Sequence, residues 1–436
     1  MKTKILKIIF CLTICVLSVF SSLAQTLEIH QISVGQGDAG LILIRNVELL
    51  KSKLAQYNIP LPTESTGILR AALEKNIPLA GTVVKAVLID TGEGDRQAQK
   101  IKTYLEKVGV SGLDYTIISH YDKDHIGGFI SLAQQLLSMG EVWDRGDVQP
   151  QPKSKLYDKY RMKIAEKGLI RHSVNNGEKI FLGGWGNQRI ELLFTSSNGY
   201  VLGENTSVSE PRGKPLKDEN DLSVSWVLQY GGFRFFSGGD LSGYNAGRKI
   251  DIETPLSNAI RQNDRAIFIK SGNRLGQGHV CAFKINHHGS EHSTNEFFLN
   301  VFQPITGIIS CGYKASYRHP RISTIRLLEP DITPTHLGVP NFIQQYYITS
   351  LFKYNNDIFT QIGKSPSKGI IAGDVVLVVD DTNIVAESCF CIFWNGESPG
   401  EVVSERNMRV PSEKGIMFFN CHINGNQQGI PLYITE

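Results

Sequence analysis

Between positions 119 and 128 the chain reads Ser119-His120-Tyr121-Asp122-Lys123-Asp124-His125-Ile126-Gly127-Gly128, which puts two imidazoles and two carboxylates within six residues. Mixed nitrogen and oxygen donors of this kind hold Zn²⁺, Mn²⁺ or Fe, and a strand end followed by a turn can fan them towards one point. A helix-capping Asp124 would account for one carboxylate but leave both histidines without a role. Further candidates stand in the same kind of place, at or shortly after the end of an apolar run. They are Asp90 in Asp90-Thr91-Gly92, Asp240 after Gly238-Gly239, the run Asn286-His287-His288-Gly289-Ser290, and His319 before Pro320. Each alone is an ordinary turn residue or a structural histidine. Together they describe strand-end loops, and such loops meet on one edge of a sheet, where ligands are assembled.

The elements that must position these residues follow from periodicity. Residues 27–34 and 40–45 read as strands joined through Gly35-Gln36-Gly37-Asp38. Residues 47–82 turn helical, with Leu49, Leu50, Leu54, Ile68, Leu69, Ala72 and Leu73, and form an insertion that can pack, cover the site or meet a second copy. A strand over 83–89, a helix carrying Ala98, Ile101, Leu105 and Val108, a strand over 115–119 and a helix over 129–139 follow. A helix over 153–171, a strand over 190–194, a long loop over 203–221 and a hairpin of 222–228 with 233–237 come next. Strand-like runs precede His287 and cover 305–310; beyond about residue 330 the pattern becomes strands such as 375–379 and 389–394.

The 436 residues are 20% charged and 41% hydrophobic, which excludes a disordered or collagen-like chain. Residues 1–24 combine Lys2, Lys4 and Lys7 with an apolar run and Ser22-Leu23-Ala24, the pattern of a signal peptide. No later stretch approaches the roughly 20 apolar residues a membrane span needs. The mature protein is therefore expected to be soluble and exported, periplasmic or secreted. Without the three leader lysines, basic and acidic residues balance, so bulk charge gives no argument for nucleic acid. Five cysteines remain beyond the leader, at positions 281, 311, 389, 391 and 421, enough for one disulfide and too scattered for a disulfide scaffold.

With these motifs in order, the chain resembles the metallo-β-lactamase superfamily, in particular the metallohydrolase domain of ComEC-type DNA-uptake proteins and their free-standing relatives. The resemblance rests on the His-x-Asp-x-Asp-His core, on Asp90-Thr91-Gly92, Asp240, His287-His288-Gly289-Ser290 and His319-Pro320, and on Val34-Gly35-Gln36-Gly37-Asp38-Ala39 and Glu253-Thr254-Pro255. It implies an α/β fold, an αββα sandwich over residues 25–330. The strand pattern over 331–436, with no repeat, low-complexity tract or flexible linker, is expected to form a β-rich region packed on that sandwich. The resemblance implies one or two divalent ions, Zn²⁺ or Mn²⁺, held by His120 and Asp122 for one and Asp124 and His125 for the other. Asp240 would bridge, His319 would be the last ligand, and Asp90 would orient a ligand histidine. His287 or His288 would be a ligand or the proton donor, Asp124 would accept the water's proton, and Ser290 would contact substrate. The superfamily at large has His at Asp122, where the ComEC branch has Asp. Its third histidine is replaced by Thr195-Ser196-Ser197, and an acid is usual where Ser33 stands. One metal position is thus expected to be weak, oxygen-rich or empty, which favours Mn²⁺ or Mg²⁺ over Zn²⁺.

The reaction implied is hydrolysis by a metal-bound hydroxide, with a phosphodiester, in a small molecule or a nucleic acid, as the leading substrate. The alternatives are an ester, amide, lactone or lactam substrate, or a binding protein that kept the fold and lost the chemistry. Internal support for nucleic acid lies in residues 153–171, where Lys155, Lys159 and Lys163 belong to a run of seven basic and two acidic residues interleaved with Tyr157 and Tyr160. A solvated helix face explains the same run. Gly363-Lys364-Ser365 fails as a phosphate loop because Ile358 stands where the first glycine is needed. Cys389, Cys391, Cys421 and His422 read as small buried residues before they read as a zinc site.

Overall fold

The computed structural model describes residues 25–62, 65–136, 138–184, 188–208, 216–267, 278–312, 317–329, 343–350, 368–379, 389–394 and 415–420. Residues 1–24, read above as a signal peptide, the Gly363-Lys364-Ser365 stretch, Cys421 and His422 lie outside them. In chain order the elements are β1 Gln25–Gln31, β2 Gly40–Asn46, α1 Val47–Gln56, α2 Ser65–Glu74, β3 Val83–Ile89, α3 Asp95–Lys107, β4 Leu113–Ile117, α4 Lys123–Ile126, α5 Phe129–Gln135 and β5 Met139–Asp144. Then come α6 Lys155–Glu166, β6 Arg171–Ser173, β7 Lys179–Gly183, β8 Ile190–Ser197, β9 Tyr200–Val201, β10 Ser225–Tyr230, β11 Phe233–Ser237, α7 Glu253–Ile267 and β12 Ala282–Lys284. The last are α8 Glu296–Phe302, β13 Thr306–Ile309, α9 Ile322–Leu328, β14 Gln345–Ile348, β15 Gly369–Ile371, β16 Val375–Val379, β17 Cys389–Trp394 and β18 Gly415–Asn420.

The strands form two sheets, ordered β18-β17-β16-β1-β2-β3-β4-β5-β6 and β15-β14-β13-β12-β11-β10-β8-β7. Strands such as β2 are apolar on both faces because both faces are covered. Ile42 and Ile44 of β2 point into the layer between the sheets, with Leu27, Ile29 and Val87, against Leu192, Phe194, Trp226 and Leu228 of the second sheet. Leu41 and Leu43 point outward, where Ala98, Ile101, Leu105, Phe129, Leu132, Tyr157 and Tyr160 of α3, α5 and α6 cover them. The second sheet is covered likewise by Leu256, Ile260, Phe298, Phe302 and Ile325 of α7, α8 and α9. These four layers are the αββα sandwich that the motifs imply.

The 47–82 segment forms α1 and α2, whose Leu50, Leu54, Leu69 and Ala72 pack on Val376, Val378 and Cys391 of β16 and β17. Strands beyond residue 330 extend both sheets: β14 pairs in parallel with β13, and β16 pairs antiparallel with β1, Leu27 opposite Val379. Among the described residues no helix is long and apolar enough to cross a membrane.

Under the outer face of the first sheet lies a fully buried ion pair. Arg45 Nε and Nη2 donate to Glu28 Oε1 and Oε2 at 2.6 and 2.9 Å, Nη1 donates to Thr82 Oγ1 at 2.6 Å, and Nη2 also reaches the Val108 carbonyl at 3.1 Å. Burial pushes the Glu28 carboxyl up, but Arg45 and His30 outweigh it and hold the pKa down at about 2.

Candidate metal centre

Parallel pairing of β3 with β4 and of β11 with β12 and β13 brings the carboxyl ends of these strands to one edge. Past β3 the chain turns at Asp90, whose φ is +58°, and past β4 it reaches His120 and enters α4. The two turns pack backbone to backbone. A Cβ at Gly127 would lie 2.0 Å from the Glu93 carbonyl oxygen and one at Gly128 would lie 2.1 Å from that of Thr91, which is why the metal-type motif ends in two glycines. Past β12, His287, His288 and Gly289 are all left-handed, with φ of +50°, +54° and +78°. Strain of this kind persists only where its surroundings dictate it. Here Asn286 Nδ2 donates to Glu253 Oε1 at 2.7 Å, the Thr294 and Asn295 amides donate to the same carboxylate at 2.6 and 2.8 Å, and the His287 amide donates to the Gly239 carbonyl at 3.0 Å.

These loops converge on a buried cluster of Asp38, His125, Asp240 and His288, whose candidate ligand atoms all lie within 4.8 Å of one another. His125 Nε2 and His288 Nε2 stand 3.3 and 3.4 Å from Asp240 Oδ2, and His288 Nε2 is 3.4 Å from Asp124 Oδ2. Ligand atoms about 2.0–2.2 Å from a common tetrahedral ion are spaced in this way. The opposite ring nitrogens are already committed. His125 Nδ1 is 2.8 Å from Asp90 Oδ2, and His288 Nδ1 is 2.8 Å from the Ser310 carbonyl oxygen. This leaves both Nε2 atoms buried without an aligned hydrogen bond among the described residues. Asp90 is itself fixed by the Ser119 amide at 2.8 Å and the Ser119 hydroxyl at 2.7 Å. Outer partners of ligand histidines set ring orientation and basicity. Asp90→Asn is therefore expected to weaken metal binding about 10–100-fold, read by competition with a chelating dye; unchanged affinity would detach Asp90 from the centre.

The electrostatics also fit a cation. Burial lowers the His125 and His288 pKa values, but for His125 the carboxylates of Asp240 and Asp90 outweigh it and the pKa lies well above the ordinary value. For His288, Asp240, Asp38 and Asp124 raise it to about 10. Burial raises the Asp240 carboxyl, yet His288, His125 and His287 bring it well below the usual range. Lys284 is a third positive group: its Nζ is 2.5 Å from Asp38 Oδ2, donates to the Gly239 carbonyl at 3.0 Å, and has its pKa raised by Asp38 and Asp240 against burial. Without an ion, protons on His125 and His288 carry the charge these carboxylates demand. An ion needs both imidazoles neutral, so loading must release protons, about two per ion at neutral pH, and apparent affinity must rise with pH towards about 10. Calorimetric titrations in buffers of different ionisation enthalpy across pH 6–9 read this release; a pH-independent affinity would contradict it.

Around the cluster stand the other residues singled out by the sequence. His120 Nε2 is 3.8 Å from Asp122 Oδ2, and its ring centroid is 4.0 Å from that of His125. His287 Nε2 is 3.8 Å from Asp240 Oδ2, and burial keeps its pKa down at about 4. His319 lies farther out, its ring 5.6 Å from His287 and 6.1 Å from His288, with burial holding its pKa at about 2. The Ser290 hydroxyl accepts the His292 amide at 3.3 Å within its own loop. Lys155 and Lys159 are exposed, whereas Lys163 is buried and pairs with Glu166 at 2.6 Å. Tyr157 and Tyr160 are core residues packed behind Tyr121, so they offer no stacking face to a base. Asp38, Lys284 and Asn220 also belong to the site, and of the three only Asp38 lies in a sequence motif, Gly35-Gln36-Gly37-Asp38.

Residues 82–136 match the family described as the metallo-beta-lactamase superfamily. Over 258 residues the chain is 29% identical to ComE operon protein 3 of Bacillus subtilis (strain 168), covering 56% of this chain and 27% of that protein. Over 263 residues it is 24% identical to competence protein ComA of Neisseria gonorrhoeae, covering 58% of this chain and 29% of that protein. The chain thus spans under a third of the length of either curated relative. A solved structure described as a metal-dependent hydrolase of the beta-lactamase superfamily is similar over 75% of this chain and 96% of its own, at 14% identity and a TM-score of 0.38.

Proposed function

We propose that the chain, which carries a metallo-β-lactamase superfamily domain, is an exported metal-dependent hydrolase of phosphodiesters. The observation that carries this reading is the approach of His125 Nε2 and His288 Nε2 to Asp240 Oδ2 with both Nδ1 atoms already engaged. A divalent ion held there by His125, His288 and Asp240 would supply Lewis acidity, acidifying a water and polarising the scissile group. The protein's own groups do the rest. Asp124, whose carboxyl is raised by burial but lowered further by His288 and His125, stays ionised and can accept the water's proton. Its Oδ2 is oriented by Gln36 Nε2 at 3.3 Å. His287, kept neutral by burial, offers an N–H hydrogen bond to the leaving oxygen.

An anionic diester suits the surroundings. Lys123 follows Asp122, and Lys249 and Arg248 stand by the turn at 218–220, with Lys249 Nζ 3.4 Å from Asp218 Oδ2. Likeness to a competence protein fits a nucleic-acid diester. Export is supported by the leader pattern of residues 1–24 and by the disulfide at Cys281, a bond that persists in oxidising compartments.

The test is a panel of bis-p-nitrophenyl phosphate, p-nitrophenyl acetate and a chromogenic cephalosporin, each with Mn²⁺ and with Zn²⁺. Turnover of the diester without the cephalosporin is the expected result. Turnover of the ester or lactam alone would replace the diester by a non-phosphate substrate, and bound metal with no turnover of any would favour a binding protein.

A further inference from the structure

We infer that this centre holds a single metal ion, with the Asn220 carboxamide and the Lys249 ammonium standing where a second ion would sit. The inference rests on the metal-centre reading above and adds its stoichiometry.

Among the described residues only one group of ligand atoms gathers closely enough for an ion, and it contains neither His120 nor Asp122. Those two side chains face the Asn220 carboxamide, whose nitrogen otherwise lies 3.5 Å from His287 Nε2. With oxygen and nitrogen exchanged, the assignment that satisfies both atoms, Asn220 donates to His120 Nε2 at 3.2 Å and to Asp122 Oδ2 at 3.2 Å, while its oxygen accepts from Lys249 Nζ at 3.1 Å. A carboxamide NH₂ has two N–H donors, and both are used on the lone pairs that an ion would need. His120 Nδ1 lies 3.0 Å from the Ser119 hydroxyl, so its Nε2 is the atom facing the amide.

The amide is not on a loose arm. It belongs to a short 3₁₀ turn, Asn220–Leu222, next to Glu219. Glu219 Oε1 accepts the Tyr121 amide at 3.0 Å and Arg145 Nε at 2.8 Å, and its Oε2 accepts Arg145 Nη2 at 2.9 Å. Past the turn, the Val224 amide donates to the Ser119 carbonyl at 2.7 Å, which ties this segment to the loop bearing His120. The hydroxyls that stand where a third histidine was expected face one another instead: Thr195 Oγ1 and Ser196 Oγ lie 2.8 and 2.7 Å from Ser225 Oγ. A second ion would have to displace a doubly engaged amide and then face the Lys249 ammonium behind it. The lysine supplies fixed positive charge beside the reacting group, where a dinuclear site would supply a metal.

The experiment is metal stoichiometry of the whole mature protein by native mass spectrometry after saturation with Mn²⁺ or Zn²⁺ and removal of excess. The wild type should carry one ion, His120→Ala should keep it, and His125→Ala should lose it. Asn220→Asp, nearly isosteric and free of N–H donors, should raise the count to two. Two ions in the wild type, or one in Asn220→Asp with native circular dichroism, would overturn the inference. Loss of the ion in a folded His120→Ala variant would overturn it as well. No ion in the wild type would instead overturn the metal-centre reading on which it stands.

Discussion

Asp240→Ala is expected to abolish metal retention and turnover together, by more than the roughly 10–100-fold that loss of an outer partner costs. Asp240 Oδ2 is the point that both His125 Nε2 and His288 Nε2 approach, so its removal would take away a carboxylate that would hold an ion there. It also leaves two buried imidazoles without the anion that raises their pKa values most strongly. Asp90 beside His125, and Asp38 and Asp124 beside His288, remain as partners, so the fold should stay intact while the cation site is lost. Elemental analysis and diester turnover on the same preparation read both effects. Retained metal with retained turnover would remove Asp240 from the centre, and Asp240→Asn, which keeps the shape, separates charge from packing.

The largest expected effect on stability lies away from the site, at Arg45. Arg45→Ala strands the fully buried Glu28 carboxylate, and breaking a buried pair in this way costs about 3–5 kcal/mol. Arg45→Met with Glu28→Gln should cost much less, because no charge is left uncompensated. The pair also sets an acid limb. Glu28 is held at about 2 when folded against an ordinary 4.5, so its contribution is complete above about pH 4.5 and is lost as pH falls towards 2. Urea midpoints measured from pH 7 down to pH 3 should therefore show a steeper acid decline for the wild type than for the double variant. A single-variant loss below about 1 kcal/mol, the range of an exposed pair, would contradict the account.

How far the sequence reveals this molecule depends on whether a signal is local. The strands over 83–89, 375–379 and 389–394 coincide with β3, β16 and β17, because apolar runs between turn residues, broken only by Lys85 in β3, announce buried strands. The 129–139 stretch is different. Its helix ends at Gln135 and Met139 opens β5, where Glu141 and Gly140 interrupt the apolar pattern while parallel pairing to β4 supplies what periodicity does not. Gly140 lies so close to the Asp114 carbonyl that a Cβ would meet it at 1.9 Å, a constraint seen only once the strands are paired.

At the site, His120, Asp122, Asp124, His125 and His288 are visible because they are crowded into two motifs. Asp38, Lys284 and Asn220 are not, since each looks like a turn or strand residue until the two sheets meet. Asp38 follows a glycine-rich turn, and Lys284 sits inside β12 with nothing local to say that its ammonium points at Asp38. Tyr157 and Tyr160 show the reverse case. Their interleaving with lysines suggests a stacking surface, yet the helical period sets them with Ile164 on the buried face of α6.

The central claim is that this buried cluster is a hydrolytic metal centre, and diester turnover before and after chelation tests it most directly. Purified protein should lose bis-p-nitrophenyl phosphate hydrolysis on treatment with a chelator and regain it when Mn²⁺ or Zn²⁺ is returned. Turnover that survives complete removal of metal would contradict the account.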